Sequence, residues 1–337
     1  MIAVIGGGII GLSIARSLRA RGAEVTVYDP EPDGTGGAWH VAAGMLAPGR
    51  ESAFEHPRLE SLLEASLALW PEFAAGLGDV GYDTTGTLGV ALTADDHVEA
   101  AREWRHQKLQ PLTGSQVRDR EPALSPRIRA GVHAPHEVQA DPRRVVAALR
   151  RALAGRIVAR RITDLGEVAA DTVVVAAGCG TAALTGLPIR PVKGQVLRLR
   201  GEPGLLRHVI DGSADGRHVY LVPRADGEIV VGATQEERGD SAATAGGVHD
   251  LLRAALDLVP GLAEHTLTEI TVGHRPGTPD NGPLLGRLDA RTVVAAGHHR
   301  NGILLAPITA RLVADLVLTG SDDPFLDDFA PGRNGCA

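Results

Sequence analysis

Met1-Ile-Ala-Val-Ile-Gly-Gly-Gly-Ile-Ile-Gly11 opens the chain and decides its fold. A β-branched apolar run, Ile2 to Ile5, breaks at Gly6, Gly8 and Gly11, and a helical apolar pattern follows through Ile9, Ile10 and Leu12 to Ala20. This is a strand, a tight turn and a helix. Gly6 takes the turn, Gly8 admits a pyrophosphate close to the backbone, and Gly11 lets the helix pack near the strand. The unpaired N–H groups of the helix start then face the phosphates. Gly22 ends the helix, and a second strand, Glu24-Val-Thr-Val-Tyr-Asp29, finishes on a carboxylate placed for a ribose hydroxyl pair. The pattern predicts a dinucleotide site without choosing among NAD, NADP and FAD, although Asp29 would repel a 2′-phosphate.

Composition sets the frame around this stretch. A chain of 337 residues exceeds what one core usually organises, so two domains are expected. No apolar run is long enough to span a membrane, and a chain that starts on its first strand has no room for a signal peptide, so a cytoplasmic protein is expected. Two cysteines, Cys179 and Cys336, exclude a disulfide framework. A net charge of −7 with no basic block argues against a nucleic-acid partner.

Further along, Thr35 to Pro48 is small and glycine-rich, fitting either a buried connector or a loop beside a flat cofactor. Residues 57–77 read as a helix broken or kinked at Pro71, 84–92 as a strand pair, and Thr93 with Asp96 as a capping box opening a helix to about Gln107. Asp141-Pro142 starts a helix that Gly155 stops. Its paired arginines suggest a phosphate grip or, more simply, a solvated face. Asp171-Thr-Val-Val-Val-Ala-Ala-Gly178 and Arg291-Thr-Val-Val-Ala-Ala-Gly297 are strands apolar on both faces, as in a parallel sheet. Between them, strands near 192–199, 207–211, 217–222 and 228–233 read as an antiparallel meander. A helix starting near Pro307 and stopped at Gly320 closes the pattern. His298 and His299 diverge as neighbours and have no spaced carboxylate, so no metal is expected.

A nucleotide sheet resumed twice, the second time near residue 297, suits FAD folds better than NAD dehydrogenases. The last helix would point its N-terminus at the flavin ring. The expected class is α/β, α+β overall: a Rossmann-like FAD-binding domain (1–78, 137–187, 282–337) interleaved with an antiparallel-sheet substrate domain (79–136, 188–281).

Six stretches carry a family resemblance: 4–11, Ala42-Ala-Gly-Met-Leu-Ala-Pro48, Val219-Tyr-Leu-Val-Pro-Arg224, Val231-Gly-Ala-Thr234, His274-Arg-Pro-Gly-Thr278 and Gly297-His-His-Arg-Asn-Gly-Ile-Leu-Leu-Ala-Pro307. The chain resembles the amine-oxidising flavoproteins of the D-amino-acid oxidase superfamily, above all the glycine oxidases of thiamine biosynthesis. The resemblance implies oxidation of glycine, or of sarcosine or a small D-amino acid, to an imine, with O2 giving H2O2. A sarcosine or D-amino-acid oxidase or dehydrogenase of the same fold is the alternative. It implies that Arg275 binds the substrate carboxylate, that Tyr220 donates its hydroxyl to it, and that Arg300 and Met45 border the pocket. FAD, non-covalent because no cysteine lies near Arg275, would contact Gly6, Gly8, Ile9, Ile10, Gly11 and Asp29. Its other contacts would be Ala42, Ala43, Gly44, Met45, Ile162, Ala177, Gly178, His299, Arg300, Asn301, Gly302 and Ile303. The resemblance leaves room for a homo-oligomer and for a functional link to a thiazole synthase. On the residues alone, Arg275 before Pro276-Gly277 also fits a turn, and Tyr220 also fits an outward strand position.

Overall fold

The computed structural model describes residues 1–31, 35–51 and 57–333; Cys336 lies outside them. The strands of the first half are β1 (Ile2–Ile5), β2 (Val25–Asp29), β3 (Met45–Leu46), β4 (Thr87–Ala91), β5 (Pro111–Thr113), β6 (Ala130–Ala134), β7 (Val138–Gln139) and β8 (Ile157–Ala159). Those of the second half are β9 (Thr172–Val175), β10 (Arg190–Arg200), β11 (Val209–Ala214), β12 (Arg217–Pro223), β13 (Glu228–Gly232), β14 (Thr266–Gly277), β15 (Leu284–Arg287) and β16 (Thr292–Ala296).

Six of them form one sheet in the order β15-β16-β9-β1-β2-β8. Here the three strand–glycine segments meet: β1 runs parallel to β9 with Val4 beside Val174, and β16 runs parallel to β9 on its other edge. Because strand side chains alternate, Ile2, Val4, Val174, Val293 and Ala295 pack under the helices Ile9–Ala20, Pro57–Ala75, Pro142–Ala152 and Ala306–Thr319. Ala3, Ile5, Val173 and Val175 face Ile162 and Val168 on the other side. Apolar runs with no polar alternation are what such two-sided burial requires.

The second sheet has eight strands in the order β14-β10-β13-β12-β11-β4-β6-β5. One face packs on helix Ala245–Leu258 through Leu197, Val219, Leu221 and Val231. The opposite face carries Val196, Val209, Val222 and Val230 and meets Val41, Ala43 and Met45. The smallest sheet pairs β3 with β7, Met45 opposite Gln139.

Several elements differ from expectation. The meander is not sequential, because β10 lies beyond β13, pairing Val196 with Gly232. The sheet is mixed rather than antiparallel, since β11 runs parallel to β4. Residues 84–92 give one strand, not two; Asp83 instead accepts from Thr85 N at 2.8 Å and turns the chain into it. Helix Pro57–Ala75 continues through Pro71. The capping box at Thr93 and Asp96 is present, Asp141 caps its helix by accepting from Arg143 N at 2.9 Å, and Gly320 ends helix Ala306–Thr319 at φ +70°, after which a short helix, Pro324–Asp328, follows.

Candidate functional site

A cavity of about 1100 Å³ runs from Asp29, Arg161 and Ile162 at one end to Tyr220, Arg275 and Arg300 at the other. That volume lies at the upper end for a single-ligand site, as a dinucleotide with a small substrate requires.

The glycine-rich turn forms one wall. Gly6 sits at φ +112°, and a Cβ there would lie 2.7 Å from the Ala176 carbonyl carbon, so only glycine lets β1 turn against β9. Gly8 precedes helix Ile9–Ala20 in extended conformation with no side chain capping the helix. The helix start therefore keeps its N–H groups and positive dipole end for an anion. Asp29 Oδ2 accepts the Gly7 N–H at 2.6 Å and Oδ1 accepts that of Glu31 at 2.8 Å, so the carboxylate braces the turn while facing the cavity. Arg150 Nη2 donates to the Gly7 carbonyl at 3.0 Å, and its Nε and Nη1 are buried without partners. Arg143 pairs bidentately with Glu269 at 2.7 and 3.0 Å. The arginines of this helix are thus only partly a solvated face.

Of the residues expected at the cofactor, Gly6, Gly8, Ile9, Ile10, Asp29, Ala42, Ala43, Gly44, Met45, Ile162, Ala177, Gly178, His299, Arg300, Gly302 and Ile303 line the cavity. Gly11 and Asn301 do not. Gly11 instead abuts Gly6, fixing helix to turn, and Asn301 is buried in the 3₁₀ turn His299–Asn301. That turn, with Gly302 and Ile303, borders the cavity, whereas helix Ala306–Thr319 begins three residues later. Its start is held by Ser66, which donates to the Leu304 carbonyl at 2.6 Å. No residue of that helix lines the cavity.

His299 takes φ +47° and buries Nε2 without a partner. Burial, then Arg300 and Arg275, pushes its imidazole down to about 3, so it is neutral at ordinary pH. Burial does the same to His298, also about 3, whose Nε2 lies 3.1 Å from Thr309 Oγ1. Burial raises the Cys179 thiol to about 11, which leaves it protonated. Among the described residues no cluster of three or more His, Cys, Asp or Glu is placed to hold a metal.

At the other end the sheet supplies the roof. Tyr220 on β12 lies over Gly232 of β13, where a Cβ would stand 2.5 Å from its Cζ. Arg275 on β14 lies over Gly194 of β10, where a Cβ would stand 2.6 Å from Nη1. Its Nη1 reaches the Lys193 and Thr234 carbonyls at 3.4 and 3.3 Å. Both side chains lean inward across glycines, so neither the turn position nor the outward strand position describes them. Arg300 and Met45 line the same space.

Sequence reasoning missed Asp211 and His218, which also line the cavity and pair at 2.8 Å. Asp211 is the cross-strand neighbour of Tyr220. That adjacency depends on the register of β11 against β12, which no local motif signals.

The residues present fit FAD: an uncapped helix start for the pyrophosphate, a small-residue loop for a flat ring, and a buried, partnerless imidazole nitrogen beside it. The comparisons agree. Residues 1–316 match the family model of FAD dependent oxidoreductases. The chain is 34% identical over 358 residues to the bifunctional protein ThiO/ThiG of Synechocystis sp., covering 98% of this chain and 54% of that protein. It thus spans about half the length of such relatives. It is 31% identical to glycine oxidase of Pseudomonas putida over 99% of each chain. The crystal structure of glycine oxidase from Geobacillus kaustophilus superposes with a TM-score of 0.88 at 29% identity, over 99% of this chain and 98% of that one.

Proposed function

The chain belongs to the FAD dependent oxidoreductase family, and from that premise we propose that it oxidises glycine to its imine with O2 as electron acceptor. The observation that carries this reading is the convergence of Tyr220 and Arg275, across Gly232 and Gly194, in the cavity that the glycine-rich turn also lines.

FAD, when bound, supplies a two-electron acceptor that O2 can restore. The turn at Gly6–Gly8 and the start of helix Ile9–Ala20 would hold its pyrophosphate; Asp29 and Ile162 would border the nucleoside, and the Ala42–Met45 loop would border the ring. Arg275 binds the substrate carboxylate with charge-assisted hydrogen bonds worth roughly 1.5–3 kcal/mol, and Tyr220 adds its hydroxyl. Fixing the carboxylate orients Cα, which converts an encounter into a positioned complex. Neutral His299 adds no positive charge against the substrate amine. Overall, glycine gives up two electrons and two protons to become the imine, and O2 takes them to become H2O2. Water then cleaves the imine to glyoxylate and ammonia unless it is handed on. The ThiO/ThiG relatives, which carry two functions in one polypeptide, support transfer of the imine to a thiazole synthase in thiamine biosynthesis. A cytoplasmic setting belongs to this reading; no described helix is long and apolar enough to cross a membrane.

The test is an anaerobic titration with glycine, sarcosine, D-alanine and D-proline. Glycine should bleach the flavin absorbance, and air should then yield one H2O2 per substrate consumed. One methylene changes discrimination by about 1–3 kcal/mol, so the panel ranks the substrates. Turnover only with an added artificial acceptor would rule out the oxidase, and a colourless protein would rule out the flavin.

A further inference from the structure

The Val219–Arg224 stretch ends in an arginine, Arg224, that does not itself line the cavity. Tyr220, Val222 and Arg224 alternate onto one face of β12 and its continuation. Val222 packs there with Val41, Ala43 and Met45. Beyond it, Arg224 is pinned by its own N–H to the Glu228 carbonyl at 2.7 Å and sends its guanidinium across to the loop. Nη2 donates to the Ala43 carbonyl and Nη1 to Gln139 Oε1. Gln139 is the β7 partner of Met45, so the guanidinium grips the chain two residues before Met45 and the strand paired with it.

A second guanidinium completes the hold. Arg143 Nε donates to the His40 carbonyl at 2.9 Å while its Nη atoms take Glu269 of β14. Glu269 also lies 3.5 Å from buried Arg198, which pairs with Glu228. The loop that borders the cavity from Val41 to Met45 is therefore held by two carbonyls, each gripped by an arginine, and both arginines tie it to the substrate-side sheet. Gly44 sits inside this hold at φ +84°, with no room for a Cβ against Pro142. The segment has little freedom to find another path.

We propose that Arg224 is a positioning residue for the cavity: its guanidinium sets the Met45 loop against the strand that carries Tyr220, and so fixes flavin and substrate relative to each other. This rests on the flavin-binding reading above.

The test compares wild type with Arg224→Lys, Arg224→Met and Gln139→Leu. For each protein, apoprotein is titrated with FAD by fluorescence quenching, and the visible circular dichroism of the bound flavin is recorded. The dissociation constant of glycolate is measured from its perturbation of the flavin spectrum, and kcat and KM are measured separately. Arg224→Met should lose tenfold or more in affinity for both FAD and glycolate, with a changed flavin dichroism. Arg224→Lys, reaching only one acceptor, should recover part of each, and Gln139→Leu should fall between. Folded variants with all three quantities within twofold of wild type, differing only in thermal midpoint, would overturn the proposal. If Arg224→Met does not fold, Arg224→Lys and Gln139→Leu decide by the same criteria. Wild-type protein that fails to bind FAD would overturn the flavin reading, and the proposal with it.

Discussion

Tyr220 and Arg275 approach the end of β13 from opposite sides: the Tyr220 ring lies over Gly232, its last residue, and the Arg275 guanidinium reaches the Thr234 carbonyl two residues further on. They arrive from β12 and β14, with β10 and β13 between them. The place of each depends on a neighbouring position, Gly232 for Tyr220 and Gly194 for Arg275, having no side chain.

Gly232→Ala should therefore damage substrate handling without touching the cofactor. Its Cβ would force the Tyr220 ring aside, and the nearest atoms it would meet all belong to Tyr220, while Gly232 itself does not line the cavity. The expectation is a kcat/KM lower by about tenfold, the scale of one lost hydrogen bond, with FAD affinity unchanged. Steady-state kinetics beside a flavin titration checks it; a parallel loss of FAD would contradict the assignment.

Arg275→Met should raise KM for glycine on the order of 10- to 100-fold, as expected for loss of about 1.5–3 kcal/mol of charge-assisted hydrogen bonding. It should lower kcat as well, because an unanchored Cα is misaligned. Arg275→Lys keeps the charge without the fork and should lie between.

Gly44→Ala tests the loop. A side chain at φ +84°, facing Pro142, costs about 1–3 kcal/mol. Differential scanning calorimetry should show a midpoint lower by several degrees, with weakened FAD binding, because the strained residue adjoins Met45. An unchanged midpoint would mean that the loop relaxes freely.

Buried histidines make stability depend on pH in a definite direction. His298 and His299 are held down to about 3 in the folded chain, while unfolded histidine takes its proton near 6.5. Between those values the unfolded chain binds more protons, so stability is complete above about 6.5 and falls as pH drops toward 3. Thermal midpoints measured from pH 7.5 to 4.5 should decline, and His298→Gln should flatten part of the slope. A slope identical in the variant would remove His298 from the account.

How far the sequence carries depends on how local each signal is. The β1 turn, the Asp141-Pro142 helix start, the Thr93–Asp96 box and the apolar runs of β9 and β16 are signals within a few residues, and each is realised. The place of β10 beside β13 and β14 depends on pairing with residues up to 87 positions away, as between Arg190 and Gly277. Hydrophobic alternation leaves such a choice open. The same holds at the site. Tyr220 and Arg275 were legible through the family resemblance, but Arg150 gripping Gly7 and Asp211 beside Tyr220 needed the fold to bring distant segments together.

The parallel insertion of β9 between β1 and β16 has a consequence for how the protein is made. During synthesis β1 has no partner on its β9 side until residue 175 exists, and β9 in turn keeps an open edge until residue 294. A growing chain on the ribosome thus carries an unpaired strand edge until residue 294 is made, the condition under which chains aggregate or recruit chaperones. The 3₁₀ turn at the cavity wall follows only after β16. The cavity wall that His299 and Arg300 supply is thus made only after the strand that covers the free edge of β9.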